Sequence, residues 1–163
     1  MVTLLEQREI EAKILGPILR AFAAELGESR TREILAGVIR QLAHDAGCAA
    51  AESAQGNTLT HLQATIERWR GGNALSLEVL QSSPDRLEFN VTRCAFAEMY
   101  RRLGLSEFGD LLSCSRDAAM IEGFNPAIEF QRTQTLLGGA SHCDFRYRLR
   151  DSAATNESTE SAD

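Results

Sequence analysis

Proline is scarce in this chain, with 3 residues in 163, and there is no internal repeat or Gly-X-Y period. Collagen-like and wholly disordered classes are therefore excluded. Paired cysteines are missing as well. Cys48, Cys94, Cys114 and Cys143 lie far apart with no CxxC among them, which excludes a disulfide miniprotein and predicts free thiols in a reducing compartment. Positive charge is not in excess: 17 Lys plus Arg stand against 23 Asp plus Glu, a formal net charge of -6. No general attraction to nucleic acid or anionic lipid is expected from that balance. No apolar run approaches transmembrane length, and the opening MVTLLEQREIEAK is charged every few positions where a secretory signal would be apolar. The expectation is a cytoplasmic protein with neither a membrane nor a nucleic-acid partner. P-loop, GxGxxG, GxSxG and HExxH patterns are also lacking, so nucleotide-dependent and zincin-type chemistry are not expected.

What is present suits one globular domain. Hydrophobic residues make up 44% and charged residues 25%, and a chain this long can bury roughly 70% of its unfolded surface without a metal or disulfide. Asp151, Glu157, Glu160 and Asp163 have no basic neighbour in a segment without large apolar side chains. Residues 1–150 are thus expected to form the domain and 151–163 a disordered acidic tail.

Periodicity supplies the elements. Ile10, Ile14, Ile18 and Phe22 recur at helical spacing in a first helix over 4–26, which Pro17 is expected to interrupt or kink. A second helix over 29–46 would end at Gly47, and a third, capped by Thr58, at Gly71-Gly72. The period then drops to two. Strands are predicted over 74–81 and 86–92 around a turn at Pro84, helices over 93–103 and 106–122, and strands over 127–137 and 141–150. The fold class is α+β: a four-stranded antiparallel sheet covered on one face by helices, three of them N-terminal and followed by ββααββ.

The residues that could carry chemistry fall in the second half. Cys94 follows a strand at the start of a helix, where backbone N–H groups favour a thiolate, with Thr92 as the expected cap. Cys114 and Asp117, at i and i+3, share one helix face. In the last strand His142, Asp144, Arg146 and Arg148 face one way and Cys143, Phe145 and Tyr147 the other, so His142 and Cys143 cannot serve each other. Arg132, on a strand between apolar neighbours, needs a carboxylate or an anionic ligand. Cys94, Cys114, Cys143 and His142 are zinc-type residues, but their spacing offers no local chelate. No metal and no cofactor is expected. The apolar stripe on the first helix leaves room for a homo-oligomer, although core burial accounts for it equally well.

The run from Phe89 to Arg148 resembles the L-2-amino-thiazoline-4-carboxylic acid hydrolase family. The resemblance rests on Asn90-x-x-x-Cys94, Cys114-x-x-Asp117, Gly123-Phe124-Asn125-Pro126, Arg132-Thr133-x-Thr135 and Cys143-Asp144-Phe145 together. The last of these also loosely resembles the end of 4-vinyl-reductase-like ligand-binding domains, which suits a helix-covered sheet with an internal pocket. The family resemblance implies hydrolytic opening of a small cyclic amidine, 2-aminothiazoline-4-carboxylate giving N-carbamoyl-L-cysteine. It implies Cys94, Cys114, Asp117, His142, Cys143 and Asp144 as catalytic residues, and Asn90, Asn125, Arg132, Thr133 and Thr135 as substrate-binding ones. Asp117 or Asp144 would hold the amidinium, and Arg132 the substrate carboxylate. Attack could come from a Cys94 or Cys114 thiolate, or from water activated by His142 or an Asp. A different small cyclic C–N substrate, or a non-catalytic binding or sensor domain, stays open beside this.

Overall fold

The computed structural model describes residues 2–150; the expected acidic tail, 151–163, lies outside the described residues. Thr3 starts helix α1 (Leu4–Leu26) with a reciprocal cap: its hydroxyl accepts the Glu6 N–H at 3.2 Å and the Glu6 carboxylate accepts the Thr3 N–H at 2.8 Å. Pro17 does not interrupt α1. It lies on the exposed side, where water can take up the carbonyl that its ring leaves without a donor.

Helix α2 (Glu28–Ala54) likewise runs through Gly47, its expected stop. The glycine is there for packing. A Cβ on Gly47 would lie 2.0 Å from the Met120 carbonyl oxygen and 2.8 Å from the Phe124 nitrogen, and one on Gly123 would lie 2.1 Å from the His44 carbonyl oxygen. These two glycines let α2 cross α6 (Arg116–Phe124) at backbone contact. Helix α3 (Leu59–Trp69) begins where expected, with the Thr58 hydroxyl accepting the His61 N–H at 3.5 Å.

Strands β1 (Leu75–Ser82), β2 (Arg86–Cys94), β3 (Ile128–Gln131) and β4 (Cys143–Leu149) form one antiparallel sheet in the order β1-β2-β4-β3. Alternation sends Leu87, Phe89 and Val91 of β2 and Cys143, Phe145 and Tyr147 of β4 inward under the helices. The strand expected over 127–137 is far shorter. Asp144 captures the N–H groups of Thr133 and Gln134, each at 2.9 Å, and pulls the chain out of the ladder just past Gln131.

Helix α4 (Ala95–Arg102) is capped by Cys94 rather than Thr92, the Cys94 sulfur accepting the Ala97 N–H at 3.4 Å. The single helix expected over 106–122 is broken. Helix α5 (Ser106–Gly109) leads into a π-helical turn, Asp110–Cys114, closed by Ser115 N–H to the Asp110 carbonyl at 2.7 Å, and α6 follows.

Two apolar clusters hold these layers. Leu62 and Ile66 of α3 and Ile121 and Phe124 of α6 pack on the inner sheet face, while Ala12, Leu19, Leu35, Ile39, Tyr100 and Phe108 join α1, α2, α4 and α5. The outer apolar stripe belongs to neither. Ile10, Ile14, Ile18, Phe22 and Leu26 of α1 and Ile34, Val38 and Leu42 of α2 are 42 to 60% exposed, so core burial does not account for them in the single chain.

Candidate functional site

Between the helices and the inner sheet face lies a cavity of ≈ 470 Å³. Its origin is local. Ala43, Ala46 and Ala50 turn short side chains of α2 toward it, where Leu or Phe would fill the space. Trp69, Val91, Phe145 and Met120 complete much of the apolar wall. Into this space five sequence-predicted residues converge from separate elements: Cys94 from the β2–α4 junction, Cys114 from the π turn, Asp117 from the first turn of α6, Arg132 from the chain after β3, and Cys143 from the start of β4. The π turn inserts an i→i+5 bond directly ahead of Asp117, the kind of local irregularity that recurs at functional sites.

Arg132 meets a carboxylate of the protein itself. Its guanidinium donates to Asp117 Oδ2 and, at 2.9 Å, to the Cys114 carbonyl, and its carbon lies 5.3 Å from the Phe145 ring centroid and 5.7 Å from that of Phe130. Burial pushes the Asp117 carboxyl up to about 6 against the pull of Arg132. The thiols are likewise displaced. Burial, reinforced by the negative field of Asp117, pushes Cys114 up to about 12. Cys94 is raised by burial in spite of the Ala97 N–H, so the helix start does not give it the expected thiolate character. Cys143 is raised by burial although its sulfur accepts the Leu136 N–H at 3.2 Å. At neutral pH the cavity therefore holds three neutral thiols and one carboxylate poised to exchange a proton.

The other predicted site residues lie away from the cavity lining and bond to the chain itself. Asn90 Oδ1 accepts from Arg146 at 2.9 Å on the opposite sheet face. Asn125 ends α6, its amide donating to the Asn57 carbonyl and its oxygen accepting the Ala127 N–H, both at 2.9 Å. Thr133 donates its hydroxyl to Asp144 at 2.6 Å, and Thr135 Oγ1 accepts the Gly138 N–H at 3.0 Å. Partial burial pushes the Asp144 carboxyl up, but the hydrogen bonds from Thr133 and Gln134 outweigh it and hold it below its ordinary value. His142 bonds to Ser141 at 2.9 Å and Gln134 at 3.2 Å, so it faces none of the three thiols across the cavity. Among the described residues no group of three or more His, Cys, Asp or Glu side chains could hold a metal ion.

Sequence reasoning missed Arg8, Arg68 and Arg116, which also line the cavity. Arg116 could have been found, since it sits inside Cys114-x-x-Asp117; Arg8 carries no such signal in its charge-rich helix.

Comparison with known proteins agrees with this architecture. The crystal structure of the phenol-responsive sensory domain of the transcription activator PoxR with phenol is similar in fold, with a TM-score of 0.53 at 14% identity over 83% of this chain and 73% of that one. No curated protein matches the chain. The family model for L-2-amino-thiazoline-4-carboxylic acid hydrolase matches residues 7–147, from the first turns of α1 to the end of the inward-facing run of β4. The chain belongs to the L-2-amino-thiazoline-4-carboxylic acid hydrolase family.

Proposed function

We propose that the cavity binds a small cyclic amidine such as 2-aminothiazoline-4-carboxylate and opens its ring by hydrolysis, with Asp117 as general base. The observation that carries this is a desolvated carboxylate, Asp117, held by Arg132 beside Cys114 in a cavity large enough for one small heterocycle. A base whose carboxyl titrates near 6 is ionised at neutral pH yet still takes up a proton readily, the compromise that general-base catalysis favours. Water adds to the amidine carbon as its proton passes to Asp117. The carbon–sulfur bond then breaks as the new hydroxyl becomes the carbonyl, and the proton on Asp117 moves to the departing sulfur. The second proton of the water ends on the former ring nitrogen, and both nitrogens stay on the new carbamoyl group. The thiols support the water route over covalent attack, because burial keeps all three protonated.

The test is product analysis by mass spectrometry after mixing protein with 2-aminothiazoline-4-carboxylate. Gain of one water mass and appearance of N-carbamoyl-cysteine are expected. Retained turnover under a chelator would remove a metal requirement. Saturable binding with no product, across a panel of cyclic amidines and imides, would favour the non-catalytic alternative, which the largely apolar cavity wall also suits.

The pH profile gives a second test. Asp117 must be ionised to act, so kcat/KM should be flat above about 6 and fall about tenfold per pH unit below it. A limb near 4, the range of an unperturbed carboxylate, would mean that burial does not raise the titrating carboxyl, and its loss or survival in Asp117→Asn would then identify the base.

A further inference from the structure

The cavity is lined by four guanidinium groups, Arg8, Arg68, Arg116 and Arg132, against one carboxylate, Asp117. Three of the four have partners. Arg132 is taken up by Asp117 and the Cys114 carbonyl, Arg68 donates to the Thr65 hydroxyl at 3.1 Å, and Arg8 pairs with Glu11 at 2.5 Å. Arg116 is different. Among the described residues no carboxylate lies within ion-pair distance of it and no acceptor takes its N–H groups, although it is half-buried. Its nitrogens keep access to solvent, since among the described residues only the Tyr147 hydroxyl is a buried polar side-chain atom without a partner. They are therefore open to a ligand that enters the cavity, and a second guanidinium is nearby. Burial, and next the positive field of Arg8, push the Arg116 guanidinium below its ordinary value. Arg8 itself is only 14% exposed at its side chain. Two hydroxyls line the same part of the cavity, Tyr100 and Ser113, bonded to each other at 3.0 Å. Glu11 alone does not balance Arg8 and Arg116, and Arg68 has only a hydroxyl partner, so the wall carries positive charge that an anionic ligand would match.

We propose that Arg116, assisted by Arg8 with the Tyr100 and Ser113 hydroxyls, forms the subsite that holds the carboxylate of the ligand. The proposal rests on the cavity being the ligand site, and it assigns the anionic end to Arg116 rather than to Arg132. Arg116 and Asp117 are consecutive in the first turn of α6, and successive residues on a helix diverge by about 100°, so cationic and anionic heads bracket a bound ring from adjacent positions. A ligand with a carboxylate at one end and an amidinium at the other is oriented by that pair in one sense only.

Binding can be read without turnover, because Trp69, the one tryptophan of the chain, lines the cavity. The probes are thiazole-4-carboxylate and its neutral isostere thiazole-4-carboxamide, neither of which has a hydrolysable amidine. Titrated against Trp69 fluorescence, the unaltered protein should prefer the carboxylate by about 10- to 100-fold, the selectivity of hydrogen bonds to a charged group. Arg116→Gln should erase that preference while changing carboxamide affinity less than about twofold, and Arg116→Lys should keep part of it as a point charge. Arg8→Gln should weaken it less, since Glu11 already shares that charge. A structural role would show in stability, yet Arg116→Gln has no ion pair to lose and should unfold at the same temperature or higher. No preference in the unaltered protein, a preference that survives both Arg116→Gln and Arg8→Gln, or one erased instead by Arg132→Gln would each overturn the subsite. Should the preference follow Arg116 while 2-aminothiazoline-4-carboxylate gives no product, the subsite stands and the hydrolase assignment falls. Turnover that is unaffected by Arg116→Gln would leave the hydrolase assignment standing and overturn the subsite.

Discussion

Asp117→Asn is expected to lower kcat for ring opening by about 100- to 10,000-fold, the usual contribution of a positioned general base. The fold should survive the change. Asn keeps an oxygen facing Arg132, and the guanidinium retains the Cys114 carbonyl and the faces of Phe130 and Phe145. Circular dichroism should therefore stay near that of the unaltered protein while the acid limb near 6 disappears; the unfolding midpoint should fall, because Arg132 loses the carboxylate it pairs with. The comparison with cysteine variants decides the route. Cys94→Ala, Cys114→Ala and Cys143→Ala each remove a thiol that burial holds protonated, and each should cost less than about tenfold if water is the nucleophile. Loss of turnover in Cys114→Ala as complete as in Asp117→Asn would instead make the Cys114 sulfur the attacking atom with Asp117 taking its proton.

The sequence carries the architecture well, because period-two alternation in β2 and β4 and period-four stripes in the helices are one-dimensional records of which side is buried. It misreads glycine. Gly47 looks like a helix stop, yet it is interior to α2 at a crossing with α6 more than 70 residues away, and local spacing holds no trace of that. The site is legible in part for the same reason. Cys143 shares an inward face with Phe145, so its approach to the cavity follows from pattern, whereas Cys114 and Asp117 lie in the π turn and in α6, on either side of a break that their i, i+3 spacing does not show. That Arg132 turns to Asp117 and not to a ligand, and that Arg8 arrives from the first helix, depends on tertiary contact alone. Thr133, Thr135 and Asp144 show a further limit: polar residues in a strand-like run can be the means by which the strand ends.

Gly47→Ala should destabilise the protein by about 3 kcal/mol, despite the gain of about 1 kcal/mol that alanine brings in a helix interior. The added Cβ would sit 2.0 Å from a backbone oxygen of Met120 and 2.8 Å from the backbone nitrogen of Phe124. No rotamer change relieves a contact between main chains, so α2 and α6 must separate, and the apolar contacts of Ala43, Ile121 and Phe124 open with them. In a chain of this size that loss corresponds to a fall of about 6–12 °C in unfolding midpoint. Gly37, on the exposed side of the same helix, is the internal control: nothing lies within 4 Å of a Cβ built there. Gly37→Ala should stabilise by about 0.5–1 kcal/mol through helix propensity. Opposite signs for one substitution at two positions of α2 would assign Gly47 to the crossing. Equal stabilisation at both would mean that the helices are not held at backbone contact. Because α6 carries Arg116 and Asp117 while α2 supplies the alanine wall, Gly47→Ala should also weaken ligand binding, whereas Gly37→Ala should leave it unchanged.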